Sequence, residues 1–270
     1  MTPFTRMHGA GNSFVIVEKK DAGSEDYSEL ALALCSEKTG MKADGMMIIC
    51  PKENDDTDFS MLFYNSDGTK GEMCGNGARC IARYGYEHGF AGNPESISFM
   101  TTAGTVTGKR ITEERYEVRL NDPSVLKSEV TAKTVVGTFK TSYIELGNPG
   151  IPHAVVLTDE EDFGNLEMLR ERGKCLRYAE VYPKGANVTF VHMLGDASCR
   201  AITYERGVED FTLACGTGSG ATALSLSVWN VLKGNKLDVE MPGGMLSISF
   251  NHDEGGYKDI YLTGPTAYIE

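Results

Sequence analysis

Two segments of this chain repeat one arrangement of residues suited to moving protons. Met73-Cys74-Gly75-Asn76-Gly77-Ala78-Arg79 and Ala214-Cys215-Gly216-Thr217-Gly218-Ser219-Gly220 each set a cysteine after an apolar residue and before Gly-x-Gly. A run with helical spacing follows each. The first spans 78–84 and ends near Gly85 or Gly89. The second spans 221–232 and ends at Lys233-Gly234. The pattern therefore places each cysteine where a strand or loop gives way to a helix N-terminus. Free backbone N–H groups and the helix dipole favour negative charge there, which lowers a thiol pKa and attracts a carboxylate. Glycine allows the backbone to approach a ligand closely. A single such cysteine would suit a nucleophile, whereas two in matching settings point to paired proton carriers. Inverting a carbon stereocentre needs a base on one face and an acid on the other, roles that a thiolate and a thiol can exchange. Such chemistry requires no cofactor.

The other thiol chemistries fit less well. Seven cysteines, an odd number, with no apolar leader in Met1-Thr2-Pro3-Phe4-Thr5-Arg6, do not read as a disulfide framework. The absence of Cys-x-x-Cys and His-x-x-x-His spacing argues against both a zinc site and thiol–disulfide exchange. Cys35, Cys50, Cys80, Cys175 and Cys199 are read as packing residues. A net charge of −12 without a basic patch disfavours nucleic acid, and no apolar run reaches the roughly 20 residues of a membrane span. The expectation is a cytoplasmic protein with a small-molecule substrate, no metal, no membrane and no nucleic-acid partner.

Short strands and turns must carry these residues. Segments 4–9 and 12–18 read as strands around the turn Gly9-Ala10-Gly11-Asn12. A helix over 28–38 stops at Gly40, and Ala43-Asp44-Gly45 turns into a strand over 46–50. The strand 59–64 delivers the turn Asn65-Ser66-Asp67-Gly68 ahead of the first cysteine, and strands near 96–101, 104–111 and 115–120 follow its helix. Asn121-Asp122-Pro123 breaks the pattern. In the second half, strands near 133–146 lead to Gly147-Asn148-Pro149-Gly150-Ile151-Pro152-His153, then a strand over 154–157 and a polar helix over 166–173. Strands over 186–191 and 201–204 precede Glu205-Arg206-Gly207 and the second cysteine, with strands near 237–241, 245–250 and 258–262 at the end.

The two halves share a register. Cys74 and Cys215 are 141 residues apart, as are Met100 and Met241, and Gly11–Ile16 can be laid on Gly150–Val155. A period this long, with strands, one helix and more strands per unit, indicates two similar α+β domains. The expected division is 1–122 and 123–262, with 263–270 returning to the first domain. Two such domains facing each other would bring both helix starts to one cleft.

With these motifs in order, the chain resembles the diaminopimelate epimerase family of pyridoxal-independent isomerases. The resemblance runs from Met7-His8-Gly9-Ala10-Gly11-Asn12 through Asn65-Ser66-Asp67-Gly68, both cysteine motifs, Pro152-His153, Asn187-Val188-Thr189-Phe190 and Glu205-Arg206-Gly207 to Pro242-Gly243-Gly244. It implies two pseudo-symmetric domains, each a β-barrel-like sheet around a central helix, assembled as a homodimer. It implies Cys74 and Cys215 as the acid/base pair, with no cofactor. Gly75, Asn76, Gly216 and Thr217 would bracket the reacting carboxylate through backbone N–H groups. His153 and Glu205 would contact the reacting amino group. Asn12, Asn65, Asn187 and Arg206 would hold the substrate, the last three at its distal end, where an arginine suits a carboxylate. The implied reaction is conversion of LL-diaminopimelate to the meso form.

Four positions depart from the usual pattern. Ser13 stands where Asp is common, Lys42 where Gly is usual, Ile151 within a longer segment before His153, and Phe211 where Glu is usual. Ile151 and Phe211 would put apolar bulk close to the site, which keeps open a racemase of another amino acid, such as histidine, as the alternative substrate reading.

Overall fold

The computed structural model describes residues 2–23, 26–36, 42–71 and 74–270. Gly40, the expected stop of the first long helix, together with Met41 and Met73, lies outside the described residues. The chain divides into two compact units, Met1–Arg119 with Thr263–Glu270, and Leu120–Leu262.

In the first unit, β1 (Thr5–Gly9) and β2 (Asn12–Glu18) form a hairpin whose turn, Ala10-Gly11, has positive φ at both residues. Its right-handed twist suits a two-residue connection of this kind. The short α1 (Lys19–Ala22) and α2 (Ser28–Cys35) lead to β3 (Gly45–Cys50), which runs parallel to β2. Next come β4 (Phe59–Asn65), antiparallel to β3, and the two-residue β5 (Lys70–Gly71). The chain then enters α3 (Gly75–Glu87). After it, β6 (Ile97–Thr101) pairs parallel with β4, and β7 (Gly104–Arg110) and β8 (Arg115–Arg119) continue antiparallel.

The second unit opens on β9 (Pro123–Thr134) and repeats this order. β10 (Gly137–Gly147) and β11 (Gly150–Leu157) form a hairpin around Asn148-Pro149, whose peptide bond is cis. The helices α4 (Glu160–Gly164) and α5 (Leu166–Arg177) lead to β12 (Asn187–Gly195), parallel to β11. β13 (Ser198–Tyr204) and the short β14 (Phe211–Thr212) run antiparallel before α6 (Gly216–Val228). β15 (Lys236–Met241) then pairs parallel with β13, followed by β16 (Gly244–Asp253) and β17 (Gly256–Pro265). The last residues belong to the first unit, where β18 (Ala267–Tyr268) pairs with β1. From β1 to β7 and from β10 to β16 the sequence of parallel and antiparallel pairings is the same. That identity is the physical content of the 141-residue register.

In each unit one helix is enclosed by strands. α3 packs against β1, β2, β6, β7 and β8, and α6 against β10, β11, β12, β15 and β16. Nearly every residue of both helices is buried, so neither has a solvent face. The outer face of each sheet carries the other helices. Val15, Val17, Met46 and Ile48 cover Ala31 and Cys35 of α2, while Val188, Phe190, Ile202 and Tyr204 cover Leu169 and Leu176 of α5. Each large apolar side chain buried this way contributes about 1.5–3 kcal/mol.

Several element boundaries differ from the sequence expectation. The strands expected near 133–146 are β9 and β10, reversing at Val135-Val136, but β9 reaches back to Pro123. The reversal uses Gly137 at φ 141. α6 starts at Gly216, directly after Cys215, and ends at Val228, four residues short of the expected Leu232, with Asn230 at φ 57. Glycines disfavour helix in isolation, yet here they form its first turn because only small residues fit against the sheet. A Cβ on Gly218 would lie 3.0 Å from Cys215 Sγ and 3.1 Å from the hydroxyls of Thr189 and Thr203.

Candidate active site

Each cysteine is the N-cap of its unit's enclosed helix. Cys74 has φ −123 and ψ 124 ahead of α3, and Cys215 has φ −121 and ψ 105 ahead of α6. Extended backbone at the cap followed by helix leaves the first N–H groups of Gly75-Asn76 and Gly216-Thr217 without intrahelical partners. The helix settings read from the two motifs are thus the same in both units, while the surroundings of the two thiols differ.

In the first unit the β1–β2 hairpin packs on the start of α3. Asn76 Nδ2 donates to Asn12 Oδ1 at 2.6 Å, which joins two residues 64 apart. Gly9 permits this approach, since a Cβ there would lie 2.8 Å from the Asn76 carbonyl. Asn65 ends β4, and its Nδ2 donates to Thr69 Oγ1 at 3.0 Å across the turn before β5. Ser13 and Lys42, separate departures in the sequence, come together: Ser13 Oγ donates to the Lys42 carbonyl at 3.2 Å, and Ser13 N–H to Asp44 at 2.7 Å. Cys80 is buried, which pushes its thiol up to about 12 and leaves it as packing.

In the second unit, strand alternation decides which residues face α6. Val188, Phe190, Ile202 and Tyr204 point to α5, so Asn187, Thr189 and Thr203 point the other way. His153 pairs with Asn187 across the parallel strands. Its ring is fully buried, and neither nitrogen has a hydrogen-bond partner among the described residues. Burial, and then the positive charge of Arg206, lower its pKa to about 3, so the imidazole is neutral at physiological pH. Asn187 ties the loop to the strand ends. Its Oδ1 accepts from the Arg206 N–H at 2.8 Å, and its Nδ2 donates to the Pro152 carbonyl at 3.2 Å. Arg206 Nη1 donates to the Lys184 carbonyl at 3.2 Å.

Cys215 is buried, and its sulfur accepts the Gly218 N–H at 3.3 Å with Thr217 Oγ1 at 3.8 Å. Burial raises its pKa well above the ordinary thiol value. The Glu205 carboxylate adds to this by charge and by a hydrogen bond, against the opposing bonds from Gly218 and Thr217. Cys215 is therefore held as a thiol.

The comparisons with known proteins agree over almost the whole length. The family profile described as Diaminopimelate epimerase matches residues 4–125 and 146–269. The chain belongs to the diaminopimelate epimerase family. The diaminopimelate epimerase of Hydrogenobaculum sp. (strain Y04AAS1) is 36% identical over 275 residues, covering 98% of this chain and 95% of the relative. That of Archaeoglobus fulgidus is 36% identical over 277 residues, covering 98% and 94%. Among solved structures, a hydroxyproline epimerase from Agrobacterium vitis, with bound trans-4-hydroxy-L-proline, superposes with a TM-score of 0.72. It is 17% identical, covering 99% of this chain and 90% of that one, a likeness of fold.

The Phe211 ring lies on the side of the sheet away from α6. Phe211 pairs with Tyr204 in β14, so its ring points to the α5 side, against Phe190 at 6.5 Å and under Arg170 at 5.3 Å. The expectation of apolar bulk at the site is thereby corrected for Phe211: the ring belongs to the outer core, and Thr212 takes the inward position. Ile151 pairs with Leu146 beside the hairpin turn. Two charged groups went unremarked in the sequence. Glu145 is nearly buried, accepting from Tyr143 Oη at 2.8 Å and from Lys184 Nζ at 2.7 Å beside Arg206. Arg79 lies inside the first cysteine motif with its guanidinium fully buried. Neither spacing nor residue type distinguishes such groups before burial is known. No metal-holding cluster occurs among the described residues, and no described helix is long and apolar enough to cross a membrane.

Proposed function

We propose that this protein interconverts LL- and meso-diaminopimelate by moving one α-proton off the carbon and another on, with Cys74 and Cys215 as the two proton carriers and no cofactor. The observation that carries this reading is the pair of cysteine N-caps at equivalent points of two topologically matched units. In one direction Cys74, as thiolate, removes the α-proton, and Cys215, as thiol, returns a proton to the opposite face of the carbon. The reverse reaction exchanges the roles. The N–H groups of Gly75, Asn76, Gly216 and Thr217 stabilise the charge that builds on the α-carboxylate during proton removal. His153 and Glu205 receive the α-amino group, and neutral His153 can accept a hydrogen bond from it. Asn65, Asn187 and Arg206 hold the distal amino-acid end, and Asn12 supports Asn76. The assembly we propose is a homodimer in the cytoplasm, a reducing compartment suited to a chain with seven cysteines.

The test is solvent deuterium uptake at the α-carbon with LL- and meso-diaminopimelate and L-histidine, for wild type, Cys74→Ala and Cys215→Ala. Diaminopimelate should be the preferred substrate, and each variant should lose epimerisation by at least about a thousandfold while retaining its fold. Wild-type turnover in either variant, or a preference for histidine, would end this reading.

A further inference from the structure

Among the described residues, the buried Arg79 cation has no carboxylate partner. It lies one turn into α3, fully buried, and only Nη1 finds a partner, the Gly75 carbonyl at a long 3.4 Å. Nε and Nη2 have none among the described residues. Charged groups are among the most costly to bury, and replacing an unpaired one by a neutral side chain of similar volume is ordinarily neutral or stabilising. The fold therefore carries a charge that its own packing does not require. Burial brings the guanidinium down to about 10, which still leaves it charged at neutral pH.

Its direction is set by the helix. Side chains on α3 lean toward its N-terminus, which puts the Arg79 guanidinium over Gly75, the residue after Cys74. The titratable groups that act on it are Cys74 and Cys80 from its own chain segment and Arg115 from β8. Arg115 repels it, and Cys80 is held neutral by burial, so among the described residues Cys74 is the group left to supply a negative charge. The second unit has the opposite arrangement. Five residues past Cys215 stands Gly220, with no charge, and the ionisable neighbour of that thiol is the carboxylate of Glu205.

We propose that Arg79 is a positioning residue whose fixed charge holds Cys74 as the thiolate, so that the free enzyme rests with its base at Cys74 and its acid at Cys215. This rests on the two-cysteine reading above and adds a polarity to it. The experiment measures iodoacetamide alkylation of Cys74 against pH, followed on its peptide by mass spectrometry. It uses the full-length protein as wild type, Arg79→Gln, Arg79→Met and Arg79→Lys, with thermal midpoints recorded alongside. Loss of the charge in the Gln and Met variants should raise the apparent Cys74 pKa by about 1 unit and slow alkylation at neutral pH about tenfold. The Lys variant should keep most of the wild-type profile. The Gln and Met variants should melt no lower than wild type, an outcome that a purely structural role would not give. A wild-type alkylation profile in either neutral variant overturns the inference. So does failure of both neutral variants to fold, because the charge would then be holding the structure. A shifted profile with unchanged epimerisation supports the role of Arg79 and removes Cys74 as the base. Impaired epimerisation with an unshifted profile overturns the role of Arg79 and leaves Cys74 in place.

Discussion

The neutral state of His153 has a measurable consequence for stability. The ordinary histidine value is 6.5, and in the folded chain it falls to about 3 through burial and then the charge of Arg206. Below pH 6.5 the unfolded chain binds a proton that folded His153 refuses until about pH 3, so stability is lost as pH falls through that window. The slope approaches 1.4 kcal/mol per pH unit, and between pH 7 and pH 5 the loss from this one residue integrates to about 2 kcal/mol. The perturbation is His153→Gln, which cannot titrate. Urea unfolding at pH 7 and pH 5 provides the assay. The single tryptophan, Trp229, lies in the same unit as His153, so its fluorescence follows that unit's transition. Wild type should lose about 2 kcal/mol more than the variant between the two pH values, whatever the variant costs at pH 7. Equal losses in the two proteins would mean that His153 titrates normally when folded. A neutral imidazole that accepts from the substrate's ammonium would then have to be abandoned.

Glu205→Gln removes the negative neighbour that helps burial hold Cys215 as a thiol. Alkylation of Cys215 at neutral pH should therefore quicken, and an unchanged rate would show that the carboxylate does not act on that sulfur. Arg206→Met removes the cation proposed to bind the distal carboxylate. Losing one charge-assisted pair costs about 1.5–3 kcal/mol, so KM for diaminopimelate should rise about ten- to a hundredfold. Slow turnover of a monocarboxylic amino acid should be nearly untouched. An equal effect of Arg206→Met on all substrates in initial-rate measurements would remove the distal-carboxylate role.

What the amino-acid sequence determined by itself is local. A cysteine before Gly-x-Gly and a helical run specify an N-cap, because capping, dihedral freedom and 3.6-residue periodicity act within one or two turns. Both caps form, at Cys74 and Cys215, and the repeated order of strands follows from the same short-range patterns. The family was legible in the same motifs, since each keeps its residue types at fixed short spacing. Tertiary structure decided what depends on partners distant in the chain. The glycines of the first turn of α6 hold a helix against their poor intrinsic propensity because they pack against Thr189 and Thr203. Phe211 stands where the family usually has Glu, which suggests apolar bulk near the site, but its pairing with Tyr204 turns the ring to the outer core. Asn12 meeting Asn76, and His153 lying beside Asn187, depend on strand register that no single segment contains. Above all, the contrast between a buried arginine one turn past Cys74 and a carboxylate beside Cys215 could not be read from their matching motifs. Desolvation and neighbouring charge are properties of the enclosed volume. Only the folded sheets bury an arginine one turn past one cysteine and put a carboxylate beside the other.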